Sequence, residues 1–151
     1  FLPGVGNFDP AIQSINRDSV DFLDIVGHTP VFGICLGMEM FFDKSQEGKE
    51  KGLGIIDGDV IVLPDTLKVP HMGWNNISNL KSQLFNNIID NEFMYLVHSF
   101  YVPIIPETIA ESNYNGFFSV AIQKNNFYGV QFHPEKSSKP GIKILENFLT
   151  I

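Results

Sequence analysis

The stretch Val31-Phe-Gly-Ile-Cys-Leu-Gly-Met-Glu-Met40 constrains this chain more than any other. An apolar, β-prone run ends in Gly33-Ile-Cys-Leu-Gly37, and a helix-like pattern, Met38 to Phe42, follows at once. Strand, sharp turn and helix in so short a space predict an elbow with Cys35 at its apex. Glycines at 33 and 37 suit such an elbow, because without a Cβ the backbone folds tightly and nothing crowds the tip. The apex is also a helix N-terminus. There the backbone N–H groups and the helix dipole favour a thiolate and lower the thiol's pKa. The competing reading is a buried structural cysteine beside an ordinary strand–helix turn.

Length and composition narrow what the elbow serves. The 151 residues make one domain, large enough for a proper core. A single cysteine rules out an internal disulfide framework and fits a reducing, cytoplasmic compartment. No apolar run approaches the ~18 residues of a membrane span, so no membrane association is expected. A net charge of −7, with no Lys/Arg cluster to neutralise phosphates, argues against nucleic acid.

The chain opens on Phe1-Leu-Pro-Gly-Val-Gly6, which reads as the end of a strand entering a glycine loop. The expectation is a domain whose N-terminal part precedes Phe1, and a piece that is poorly soluble or unstable by itself, with strand edge and apolar surface uncovered. The glycine loop is either a set of N–H groups aimed at an anion or a plain strand-to-helix turn. Ala11 to Phe22 has helical spacing, with Ile12, Ile15 and Val20 on the buried side. Val31 to Ile34 is a buried strand, and Ser45 to Gly52 is charged and loop-like. Leu53 to Leu63 reads as short strands around Asp57-Gly58, a hairpin signal. Leu84 to Ile89 reads as a short helix and Phe93 to Val102 as a strand. Phe117 to Gln123 and Phe127 to Phe132 read as strands joined by Lys124-Asn-Asn126. A helix from Pro140 to Leu149 closes the chain. The fold class is therefore α/β, a mixed sheet flanked by helices, with the middle of the chain antiparallel in part.

The chemistry lies in the relation of Cys35 to His133-Pro-Glu135. A thiol nucleophile needs a base to take its proton and a third group to hold that base in one tautomer. His133 follows a strong strand, and Glu135 can turn back to its imidazole because Pro134 fixes the intervening φ. Taken singly, His133 reads as a solvated loop histidine and Glu135 as a surface carboxylate; together with the elbow cysteine they read as a catalytic triad. Histidines at 28, 71, 98 and 133 are scattered and give no metal-ligand spacing.

These motifs carry a resemblance. Gly33-Ile-Cys-Leu-Gly37 and Gln131-Phe-His-Pro-Glu-Lys-Ser137 resemble the two signatures of class I glutamine amidotransferases. Pro3-Gly-Val-Gly6, Val69-Pro-His-Met-Gly-Trp-Asn75, Val97-His-Ser99 and Leu145-Glu-Asn-Phe148 are similar to segments of the glutaminase subunit of imidazole glycerol phosphate synthase. The resemblance spans essentially the whole chain, residues 1–151, read as one glutaminase domain truncated at its N-terminus. That family has a strand, a helix and a second strand ahead of the glycine loop.

The resemblance implies a flavodoxin-like, mostly parallel mixed sheet and hydrolysis of L-glutamine without metal or organic cofactor. It implies Cys35 as nucleophile, His133 as base and Glu135 as its orienting partner. Gly4, Gly6, Leu36, Glu39, His98, Ser99 and Phe100 would contact substrate, with the Leu36 N–H and one N–H of the glycine loop at the oxyanion. The implied partner is a (β/α)8-barrel cyclase that receives ammonia through a channel, docked on Trp74, Asn75 and Tyr101, expected on exposed loops.

Two departures bear on function. Glu39 stands where the family usually has a glutamine that contacts substrate, and an ionised carboxylate cannot donate a hydrogen bond. Ser137-Ser-Lys-Pro-Gly141, with Gly6-Asn-Phe-Asp9, is similar to paralogues that serve amidation of surface sugars. Three functions thus stay open: the histidine-pathway glutaminase subunit, a glutaminase for a sugar-modifying system, and a non-catalytic binding subunit.

Overall fold

The computed structural model describes residues 1–16 and 22–151. In chain order the elements are α1 (Phe8–Asn16), α2 (Phe22–Val26), β1 (Val31–Ile34), α3 (Leu36–Glu39), β2 (Phe42–Ser45), β3 (Ile56–Val62), β4 (His71–Ile77), β5 (Glu92–His98), β6 (Phe100–Tyr101), β7 (Thr108–Asn113), β8 (Phe117–Lys124), β9 (Phe127–Val130) and α4 (Ser138–Phe148).

A four-stranded sheet in the order β1-β9-β8-β7 carries the site. β1 runs parallel to β9, from Val31 opposite Phe127 to Ile34 opposite Val130. Leu2 extends the sheet on the outer side of β1, its N–H donating to the Phe32 carbonyl at 2.8 Å. Both faces of this sheet are covered, which is why β1 and β9 read as unbroken apolar runs rather than alternating ones. On one face Phe32, Tyr128 and Phe132 pack against Ile144 and Phe148 of α4, with the Phe32 and Phe148 rings 4.8 Å apart. On the other, Val31, Ile122 and Phe127 pack on Met38, Phe41 and Phe42.

β2, β3 and β6 make a second sheet, and β4 and β5 form an antiparallel pair bridged to β7 through Ser78 and Glu111. Among the described residues the parallel pairings are β1–β9, β2–β3 and the Leu2–Gly33 bridge, whereas β3–β6, β4–β5, β7–β8 and β8–β9 are antiparallel. The α/β mixed-sheet class thus holds, but the expectation of a mostly parallel sheet does not. The short loop at Asn125-Asn126 and the meander from β7 to β9 force antiparallel pairing, since parallel neighbours need a long crossover.

Several element boundaries differ from the sequence reading. No hairpin forms at Asp57-Gly58: β3 runs straight through it. Gly58 sits at φ 127° and the register against β2 slips between Phe42 and Lys44, so the glycine serves a bulge rather than a turn. The Leu84–Ile89 helix is only a 3-10 turn, Gln83–Phe85, stopped where Asn87 turns left-handed at φ 62°. The 93–102 strand breaks at Ser99 because its halves pair with different partners, β5 with β4 and β6 with β3. The elbow helix ends at Glu39, with Phe42 already in β2. The strand before His133 ends at Val130. Ile12 is buried as expected, while Val20 lies outside the described residues.

Candidate active site

The elbow is strained at its apex. Cys35 holds φ 49° and ψ −107°, a conformation L-residues rarely adopt, between the end of β1 and the first turn of α3. The surroundings over-determine it. The Cys35 N–H donates to the Val130 carbonyl at 2.7 Å, and its own carbonyl accepts from the Met38 and Glu39 N–H groups at 2.9 and 3.1 Å. The flanking glycines are needed for close approach: a Cβ at Gly33 would lie 2.6 Å from the Gly37 carbonyl, and one at Gly37 would collide with the Leu2 carbonyl.

The β1–β9 pairing that ends at Val130 also delivers His133, three residues on. The His133 N–H donates to the Tyr95 carbonyl at 2.8 Å, and the Cys35 thiol lies 3.9 Å from the Val97 carbonyl. Carbonyls of residues i and i+2 face the same side of a strand, about 7 Å apart. Cys35 and His133 therefore meet the same edge of β5 two residues apart. The His133 ring is 2% exposed and its Nδ1 pairs with Glu135 Oε1 at 2.7 Å, leaving Nε2 for a second partner. The His133 carbonyl accepts from Ser137 Oγ at 2.6 Å, and Ser137 Oγ in turn accepts from the Tyr95 N–H at 2.9 Å. Glu135 itself is half exposed.

A cavity of about 270 Å³ opens at the thiol, lined by Gly4, Gly6, Leu36, Glu39, His98, Ser99 and Phe100 around Cys35. That is room for an amino-acid-sized ligand, just below the ~300–1,000 Å³ of drug-sized sites. Pro70, Val97 and Glu47 complete the lining. Glu47 was hidden in the charged 45–52 run, where no periodicity places a side chain. Its carboxylate accepts from the Phe8 N–H at the start of α1 at 3.1 Å, while Asp9 accepts from the Lys49 and Glu50 N–H groups. These bonds fix the loop against the cavity. Gln131 stands within the His133 motif but carried no assigned role. Its Nε2 donates to Glu39 Oε1 at 3.1 Å and lies 3.6 Å from Cys35 Sγ.

The site's charges run against the sequence expectation for the thiol. Burial and the nearby Glu39 carboxylate push the Cys35 pKa up to about 12, outweighing the Leu36 N–H and the Gln131 amide. The helix N-terminus does not win, because α3 is a single turn and the thiol is 7% exposed. The thiol rests protonated and must lose its proton to a base as it reacts. Burial also pushes Glu39 up to about 7, with Glu47 adding to the rise. His98 is held down at about 4 by burial. It sits in a neutral chain: its Nδ1 donates to the Phe100 carbonyl at 2.7 Å and its Nε2 accepts from His71 Nδ1 at 2.9 Å. His71 stacks on Tyr114 with ring centroids 3.9 Å apart, locking the chain in place.

The site thus combines an elbow thiol, an imidazole–carboxylate pair and an amino-acid-sized acidic cavity. The chain belongs to the class-I glutamine amidotransferase family, whose sequence pattern matches residues 1–151. It is 45% identical over 153 residues to the imidazole glycerol phosphate synthase subunit HisH of Bacteroides thetaiotaomicron, covering 99% of this chain and 78% of that protein. The subunit of the same name from Escherichia coli K12 is 45% identical over 152 residues, with 99% and 78% covered. Among solved structures, the glutaminase domain of Trypanosoma brucei CTPS, with acivicin bound, superposes with a TM-score of 0.62 at 15% identity, covering 98% of this chain and 69% of that one. That likeness concerns the fold.

Proposed function

We propose that this chain is the glutaminase subunit of an imidazole glycerol phosphate synthase, acting in histidine biosynthesis. It hydrolyses L-glutamine to glutamate and passes the ammonia to a cyclase subunit. The observation that carries the reading is the approach of Cys35, which lines the acidic cavity, and of His133, paired to Glu135, to one edge of β5. The likeness to the two HisH subunits supports the substrate and the pathway.

Cys35 Sγ attacks the side-chain carbonyl carbon of glutamine while His133 Nε2 takes the thiol proton. Glu135, bonded to Nδ1, keeps Nε2 free as the acceptor and stabilises the imidazolium. The Leu36 N–H, already close to the sulfur, and an N–H of the Gly4–Gly6 loop stabilise the oxyanion. The tetrahedral intermediate collapses, His133 returns the proton to the leaving nitrogen, and ammonia departs from a γ-glutamyl thioester. His133 then activates water, which releases glutamate and regenerates the thiol. Glu47 suits the substrate's α-ammonium, and Glu39 and the Val97–Phe100 segment complete the wall.

Ammonia would be protonated in bulk water, so a docked acceptor is required. The outer face of the β4–β5 pair suits that role. Trp74 is 53% exposed on it, edge-on to Tyr95, beside exposed Met72 and Phe93. These residues alternate on a strand pair rather than on loops. Asn75 is turned to the inner face, where its amide donates to the Asn113 carbonyl, and Tyr101 is half-buried against Phe118. Docking on a (β/α)8-barrel cyclase would therefore centre on Trp74 rather than on Asn75 or Tyr101.

The experiment is glutamate production from glutamine, with and without the cyclase, for the wild type and Cys35→Ala. Turnover that rises on adding the cyclase and falls by on the order of 10⁴-fold or more in the variant is expected. Wild-type turnover in pure Cys35→Ala would overturn the assignment.

A further inference from the structure

Three side chains at the floor of the cavity form a cluster that hydrolysis by the triad does not require. Gln131 is fully buried, and its Nε2 faces two acceptors at once, Glu39 Oε1 at 3.1 Å and Cys35 Sγ at 3.6 Å. Its Oε1 is buried without a partner among the described residues. An amide accepts that cost only where its donor end is in demand, so the cluster selects for an N–H between carboxyl and sulfur. Glu39 is itself 4% exposed, on the single turn that Cys35 opens. The charged and titratable groups around it are Cys35 on the elbow, Glu47 from the loop after β2 and neutral His98 at the end of β5. Asp9 of α1 stands behind Glu47. Among the described residues no lysine or arginine lines the cavity. An ionised Glu39 thus has no lysine or arginine beside it among the described residues, and its field falls on the buried sulfur with little solvent screening.

We propose that Glu39, clamped to Cys35 by the Gln131 amide, is a titrating control on the nucleophile: the neutral carboxyl permits the thiol to ionise and the carboxylate suppresses it. A negative charge beside the sulfur opposes both the thiolate and the oxyanion that follows, whereas a neutral carboxyl opposes neither. Burial brings the switch of Glu39 to about neutral pH. Raising the pH therefore has two opposed effects. It draws the proton from the thiol, and it charges the group that holds that proton on. The proposal rests on Cys35 as the nucleophile but not on glutamine as the substrate.

Cys35 is the only cysteine, so alkylation of the whole chain by iodoacetamide, followed by mass, reports this thiol alone. Rates are measured from pH 5.5 to 9 for the wild type, Glu39→Gln and Glu39→Met, the second variant removing the charge without supplying an amide. Both variants are expected to match the wild type within about twofold below pH 6 and to react about tenfold faster above pH 8, one pKa unit being tenfold in thiolate. A variant-to-wild-type ratio that does not change with pH overturns the control. Acceleration in Glu39→Gln alone also overturns it, by assigning the effect to hydrogen bonding instead of charge. Glutamine hydrolysis with the cyclase is followed in parallel. A pH-dependent ratio without hydrolysis would sink the glutaminase reading and leave the control standing, whereas a flat ratio with normal hydrolysis would sink the control alone.

Discussion

Cys35 and Glu39 sit four residues apart on one turn, and the site's chemistry depends on how each is solvated. Burial and a neighbouring carboxylate hold the thiol's proton in its resting state, so in the proposed mechanism His133 removes it at the moment of attack. The Glu39 carboxyl supplies only acceptors when ionised. Glu39→Gln restores an amide donor at the cavity wall and is expected to lower KM for glutamine several-fold, matching the ~0.5–1.5 kcal/mol of one net hydrogen bond. Steady-state kinetics at fixed cyclase concentration check this, and a KM unchanged within error would mean that the side chain does not touch substrate.

At the scale of elements, His133, the proposed base, is held by a turn rather than by a strand. Pro134–Lys136 is a 3-10 turn, and Ser137, fully buried, ties it to β5 by accepting from the Tyr95 N–H and donating to the His133 carbonyl. Ser137→Ala leaves a buried N–H unpaired, which costs ~1–3 kcal/mol and loosens the imidazole. The expected result is a lower melting temperature and a lower kcat with KM little changed. A fall in KM-dependent terms alone, with kcat intact, would show that Ser137 does not position the base. α4 is anchored in the same manner: Asn147 Nδ2 donates to the Leu84 and Asn86 carbonyls at 2.9 and 2.8 Å, joining the last helix to the 3-10 turn after β4.

For the molecule as a whole, two buried groups tilt stability in opposite directions. His98 titrates at about 4 when folded against an ordinary 6.5. Its contribution is therefore full above pH 6.5 and lost as pH falls towards 4. Glu39 titrates at about 7 against an ordinary 4.5, so its contribution is full below pH 4.5 and lost as pH rises through 7. Each spans on the order of 3 kcal/mol, and the two slopes oppose each other between about pH 4.5 and 6.5. Glu39→Gln removes one of them. Its melting temperature is expected to gain on the wild type from pH 4.5 to about 7 and then hold that gain, and parallel curves throughout would contradict the raised titration of Glu39. The outer face of β4–β5 gives the other whole-molecule prediction. Trp74→Ala is expected to weaken cyclase binding by about 2 kcal/mol or more, read by calorimetry. Unchanged affinity would move the interface elsewhere.

The elbow, the strand leading to the His133 motif, the β8–β9 pair and the closing helix were legible in the sequence because local rules govern them. A run of apolar residues against two covered faces, glycines where backbones touch, and a proline that sets φ all act within a few positions. The bulge at Gly58 was not legible, since the dipeptide that makes a hairpin turn also makes a bulge, and only the strands lying alongside choose between them. Nor were the places of Glu47, which reaches the cavity through a loop tied to α1, and Gln131, which the pairing of β9 with β1 brings against Cys35 and Glu39. The sequence by itself determined which residue types meet: a thiol, an imidazole and a carboxylate in an α/β frame. Only the tertiary structure decided their charges. Desolvation is a sum over every neighbour, however distant in the chain, and here that sum keeps the thiol protonated where a helix terminus alone would have ionised it.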